Sequence, residues 1–319
     1  MLTIVSDRWT DLLHDRQWWR RAWAASWRFA PHCVPCAALL TAANVIVAVG
    51  GNYAIYRMKQ PQPAEITDIL PILVLYLSIL LGIAVILILT MVALAQWLMK
   101  LTIFARLLCQ AEKAHEASED GTAPAPNLNS EVVADAHKTI RQRWVYVMKV
   151  WLVASLLLLP VAVPLSALIM FHSMVAGPMP VDTKLLGWPA WLTSPSVLFS
   201  LGAFAAVLMV ICTAYTFVTI VFSAVSDMAA ARTAVVAMKE SLKHWLPLCI
   251  ITVIILVVNV VVTAPQVIAS VTPLSGFAEQ SAVQACAQVW LGIASLVLWP
   301  LSVAPFCRIT KEIPEAVNG

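Results

Sequence analysis

The sequence predicts an all-α polytopic membrane protein: six transmembrane helices in three pseudo-repeated hairpins, each preceded by an amphipathic interfacial helix, N-in and C-in. Three observations predict it. Hydrophobic residues fill 61% of the 319 positions and charged residues 12%, with a mean hydropathy of +0.85. That balance belongs to a chain solvated mostly by lipid. Six apolar stretches, roughly 34–54, 69–97, 147–171, 196–224, 246–270 and 282–306, hold no Asp, Glu, Lys or Arg apart from Lys149. Each is long enough to cross about 30 Å of hydrocarbon. Finally, 17 of the 20 Lys and Arg fall on one side once the N-terminus is placed inside, leaving Arg57, Lys59 and Lys184 outside. Cytoplasmic loops carry the excess of basic residues, so this bias puts both termini in the cytoplasm.

The elements follow in chain order. Asp7, Asp11 and Asp15 in DRWTDLLHD (7–15) form an acidic stripe, read as a solvated helix face and not as a metal site. Residues 16–29, RQWWRRAWAASWRF, mix Arg with aromatic rings. On a helix Trp19, Trp23 and Trp27 share one face, with Arg16, Arg20 and Arg28 close to it and Arg21 further round. This is the pattern of a helix lying in the cytoplasmic interface, indoles at the glycerol level and guanidinium groups on anionic headgroups. Tethered beside a membrane span, it excludes a nucleic-acid reading. Pro31 and Pro35 are then expected to break the chain where the first span begins. The first 30 residues are charged and Trp-rich, so no cleavable signal peptide is expected.

Within HCVPC (32–36), Cys33 and Cys36 stand at i and i+3, the spacing of redox or metal-ligating thiols, and His32 is a third candidate ligand. The order is reversed from a haem attachment site, and the cytoplasm is reducing. Small apolar residues at a span end are the favoured account of the pair. With one Cys near the outer face (Cys286) among seven, no external disulfide framework is expected. No N-x-S/T sequon occurs, as fits a bacterial plasma membrane.

An internal repeat organises the chain. ASWRFAPHCVPCAALLTAANVIVA (25–48) aligns with ESLKHWLPLCIITVIILVVNVVVT (240–263) at a constant offset, pairing Ser26 with Ser241 and Asn44 with Asn259. DAHKTIRQRWVYVMKVWLVASLLLL (135–159) repeats the layout: a basic amphipathic segment, Trp144, then an apolar run. Trp245 stands at the matching point of the third unit. The closing spans end alike in LTIFAR (101–106), VTIVFSA (218–224) and APFCRIT (304–310). The chain therefore reads as one integral membrane domain, 1–319, of units about 8–108, 131–225 and 230–310. The polar segment 109–133 starts as a prolongation of the second span and becomes a mobile cytoplasmic loop over about 117–130. Trp188 and Trp191 are expected in the outer aromatic belt.

Asn44 and Asn259 sit mid-span, as helix-to-helix hydrogen-bond partners or as contacts in a central cavity. Pro160, Pro164, Pro247, Pro265, Pro300 and Pro305 interrupt spans, as kinks or as parts of a transport path. Ion-coupled transport usually leaves a charge in a span, and these spans nearly lack one. HExxH, GxSxG, P-loop and GxGxxG patterns are absent too.

The stretch AARTAVVAMKESLKHWLPLCIITVIILVV (230–258) carries an Ala-rich amphipathic helix, Ser241, Lys243, Trp245 and Pro247, then an aliphatic run. It resembles an element of small bacterial six-span inner-membrane proteins of the glycerophosphodiester phosphodiesterase membrane-domain type. The resemblance implies architecture, location and a link to lipid or envelope physiology. No phosphodiesterase catalytic sequence stands in these residues, so no catalytic residue is carried over. The expectation is a non-enzymatic membrane protein without cofactor or metal, an accessory or scaffold subunit or an envelope lipid homeostasis factor. Its partners would be membrane lipids and other membrane subunits. A permease for an apolar or amphiphilic solute is the alternative, and a thiol oxidoreductase using Cys33 and Cys36 a third.

Overall fold

The computed structural model describes residues 15–59, 69–117, 130–176, 194–271 and 277–310. Arg8, Lys184, Lys311, Asp7, Asp11, Trp188, Trp191 and nearly all of the loop 117–130 lie outside the described residues. Among those described the chain forms eight helices and no strand: α1 (Arg16–Lys59), α2 (Ile69–Ala117), α3 (Ser130–Gln142), α4 (Trp144–Ala176), α5 (Pro195–Val225), α6 (Ala230–Lys243), α7 (Trp245–Val271) and α8 (Phe277–Thr310). Six of them (α1, α2, α4, α5, α7 and α8) are long and apolar enough to cross a membrane, as a polytopic membrane protein requires.

Local chemistry sets the helix boundaries. Asp15 caps α1, its carboxylate accepting the Trp18 amide at 2.9 Å, so this member of the acidic stripe is a cap and not a solvated face. Pro195 opens α5 just after Ser194, where its missing N–H costs nothing. The expected break at Pro31 and Pro35 does not occur: α1 runs unbroken from Arg16 to Lys59 with both prolines inside. Both stand on the exposed side of the helix. The buried side is packed above and below them, at Phe29, Ala30, Cys33, Cys36 and Ala37, and that packing carries the helix through. The first unit therefore has no separate interfacial helix. In the other two, a single non-helical residue, Arg143 or His244, parts the short helix from the span.

The chain divides into two compact units, Met1–His137 with Leu256–Ala304, and Lys138–Ile255 with Pro305–Gly319. In the first, α1 and α2 form an antiparallel hairpin. The Trp18 indole donates to Glu112 Oε1 at 2.9 Å, and Phe29 meets Phe104 at 5.2 Å between ring centroids. The partner's number falls along α2 as the number rises along α1. The buried stripe Trp18, Ala22, Ala25, Ser26, Phe29, Cys33, Cys36 recurs every three or four residues, one helical face. Trp97 of α2 packs on Trp299 of α8 at 4.7 Å. Gly292 of α8 lies so close to Thr41 of α1 that an added Cβ would overlap the threonine side chain. The Trp290 indole donates to the Val262 carbonyl at 3.1 Å, tying α8 to α7.

In the second unit α4, α5 and α6 pack on one another, with small residues of α6 (Thr233, Ala234, Ala237) turned inward. Arg143, at the α3–α4 break, clasps the α5–α6 turn. Its guanidinium donates to the Ser226 carbonyl, lies 3.1 Å from Asp227 Oδ1 and covers the Tyr146 ring at 5.0 Å. The Tyr146 hydroxyl pairs with Thr233 Oγ1 at 2.8 Å, and Ser226 Oγ reaches the same oxygen at 3.1 Å. Stacked Phe217 and Phe306, 5.0 Å apart, extend this packing.

Candidate functional site

The outward face of α1 carries the predicted interfacial residues. Trp23 and Trp27 are 45% and 56% exposed and meet edge to face at 6.1 Å. Arg16, Arg20 and Arg28 are exposed beside them, while Trp19 is half-buried against Trp18. Arg20, Trp19 and Trp23 line an open groove of about 320 Å³ together with Leu301 of α8. Trp18, on the opposite face, is the fully buried tryptophan of the aromatic run. It was legible as the first of an i, i+4, i+7 series with Ala22 and Ala25, a stripe hidden in sequence by its more numerous aromatic neighbours.

Further along α1 the same packed side opens on a cavity of about 150 Å³, lined by Phe29 and His32 of α1, Lys100 and Ile103 of α2, and Val133, Ala134 and His137 of α3. Three of these groups are basic and none is acidic. Lys100 is close enough to act electrostatically on His32, Cys33 and Cys36. Neither Lys100 nor His137 stands out in the sequence as a site residue. The signal available was a lysine just beyond the uncharged run 69–97, which antiparallel pairing with α1 sets near the level of His32.

Cys33 and Cys36 are buried free thiols. Their burial has a counterpart in the chain's other two spans that follow a basic segment. Val147 and Val150 of α4, and Leu248 and Ile251 of α7, are buried at the same i, i+3 spacing. Cys33 and Cys36 fall on Leu248 and Ile251 at the offset that pairs Ser26 with Ser241. Those two serines each donate back to an alanine carbonyl one turn earlier, Ala22 at 2.9 Å and Ala237 at 2.7 Å. A cluster of three or more His, Cys, Asp or Glu able to hold a metal is absent among the described residues.

The other candidates are not gathered into one place. Asn44 and Asn259 are half-buried in the first compact unit, as is buried Pro300, but none of the three lines either cavity. Pro160 and Pro164 are exposed on α4, in the second unit. Trp144 is half-buried directly after Arg143, and Trp245, directly after His244, is 60% exposed. Beside that second break Glu240 lies 3.5 Å from His244 and 3.7 Å from Lys243. Set against protein-family models, curated proteins and solved structures, the chain matches none of them.

Proposed function

We propose that this is a non-enzymatic, multi-pass protein of the bacterial plasma membrane, with both termini cytoplasmic, that grips the cytoplasmic leaflet and serves as a scaffold or accessory subunit in envelope lipid homeostasis. The observation that supports it best is the two-sided character of α1. One face is packed against α2, and the other presents Trp23, Trp27 and three arginines to the surroundings. A helix held rigidly from behind, with indoles and guanidinium groups outward, is suited to the headgroup layer. Each basic residue at an anionic surface adds about 1 kcal/mol. The three-unit repeat is part of the same reading. It is supported by the recurring buried pairs after each basic segment, and on this view Cys33 and Cys36 are packing residues, not a redox pair. The permease alternative draws no comparable support, since neither cavity is lined by Asn44 or Asn259.

The test is depth-resolved fluorescence quenching. The full chain is reconstituted in phosphatidylglycerol vesicles whose lipids carry bromine near the headgroup or deep in the acyl chain. Replacing Trp23 and Trp27 with Phe should remove a large part of the shallow quenching and little of the deep. If those two indoles are quenched from water by acrylamide and by neither lipid, the leaflet reading is wrong.

A further inference from the structure

The cavity between α1, α2 and the start of α3 calls for a ligand of definite charge. Lys100 is half-buried there and forms no ion pair among the described residues, and the described residues of the lining include no carboxylate. A half-buried cation against apolar walls attracts an anion more strongly than a fully solvated one does, because the local dielectric is lower. His32 comes to the same space from α1, with at least one ring N–H to donate, and His137 lines it from α3. Phe29, Ile103 and Val133 wall the space on its apolar sides, which strengthens any hydrogen bond formed inside. At about 150 Å³ it has several times the room a single water needs.

We propose that this cavity binds a phosphate oxyanion, with Lys100 as the charge partner and His32 and His137 as additional donors. The acidic headgroup of a membrane phospholipid and free phosphate share that chemistry. The inference rests on the leaflet reading only for the choice between those two sources. Binding would also fasten α3 to the α1–α2 hairpin, because the anion touches all three helices.

The experiment uses delipidated full-length protein in dodecyl maltoside. Native mass spectrometry follows the binding of phosphatidylglycerol, with phosphatidylcholine as the zwitterionic control, and thermal shift follows inorganic phosphate. One phosphatidylglycerol retained more tightly than the rest, and displaced by phosphate, identifies the lipid as the source. A saturable phosphate shift without such a lipid identifies free phosphate. In either case Lys100→Gln should weaken the site about tenfold or more, the effect of removing a charge-assisted hydrogen bond. His137→Gln should weaken it less, and Lys149→Gln, exposed on α4, should leave it unchanged. The proposal is overturned if wild-type protein shows no saturable site for either probe, or if Lys100→Gln and His137→Gln both bind as wild type does. Should Lys100→Gln fail to fold, His137→Gln and the wild-type titrations decide. Loss of the Trp23 and Trp27 quenching signal with the Lys100 effect intact would sink the leaflet reading and keep this site.

Discussion

Two apolar regions of α2 have opposite surroundings, and the more uniformly apolar one, without a charge where the other holds Arg106, is the exposed one. Over 80–92 the side chains of Leu80, Leu81, Leu87, Ile88 and Met91 are all exposed; over 101–109 Leu101, Ile103, Phe104, Ala105, Leu107 and Leu108 are buried. The closing ends of α5 and α8 show the same burial, over 218–224 and 302–307. For a soluble protein the first region would be an error. Here it is what six membrane-crossing helices imply, because lipid is as good a solvent for leucine as the next helix is. Within the most apolar 18-residue stretch of each helix, 11% is buried in α2 against 44% in α8. In α2 and α5 the buried residues lie toward the C-terminal end, so in those helices mutational sensitivity should be concentrated there.

The largest effect should come from Phe104→Ala, which empties a fully buried position against Phe29. A loss of about 3–5 kcal/mol is expected, as for other buried aromatic truncations. Leu87→Ala, one of the exposed positions, should change stability by a small fraction of that. Thermal denaturation in detergent compares the two, and equal losses would erase the distinction between the regions.

Next comes Arg143→Ala, which releases the Ser226 carbonyl, Asp227 and the Tyr146 ring together. Hydrogen bonds to a charged group contribute about 1.5–3 kcal/mol. Asp227 is 91% exposed, so Asp227→Ala should cost no more than about 1 kcal/mol. If the two variants lose equally, the carbonyl and ring contacts are not what hold the turn.

Gly292→Ala probes how closely helices approach where they do pack. The new Cβ would overlap Thr41 Oγ1 and lie 3.3 Å from Thr41 Cβ. A loss of about 1–3 kcal/mol is expected from the overpacking. Gly82→Ala has nothing within 4 Å of its new methyl. It should gain about 0.5–1 kcal/mol, because Gly in mid-helix carries an entropic cost. A gain at both positions would show that α1 and α8 do not meet there.

The six long apolar helices were legible because their signals are long: uncharged runs of span length survive any detail of packing. The sites were less legible, for a physical reason. In lipid, hydropathy no longer reports burial, so Trp18 and Trp27 look alike in sequence and differ by 1% against 56% exposure. The break at Pro31 and Pro35 was misread because proline's missing N–H was weighed without the packing that spans it. Lys100 and His137 lie far apart in sequence and meet only through the α1–α2 pairing and the placement of α3.

The smallest expected effect separates packing from chemistry at Cys33 and Cys36. If the three units are built alike, the thiols fill the positions of Val147 and Val150, and the double replacement Cys33→Val with Cys36→Val imports residues the fold already uses there. Near-isosteric swaps of this kind cost less than about 1.5 kcal/mol. Thermal stability and phosphatidylglycerol retention should therefore both stay close to wild type. A thiol pair with a redox role would behave otherwise. Under a reductant-to-oxidant titration, mass spectrometry would find wild-type Cys33 and Cys36 shifting to a disulfide, and the valine variant would lose whatever activity depends on it. An unchanged pair of free thiols across that titration, with a stable valine variant, leaves the cysteines as small apolar side chains on the packed face of α1.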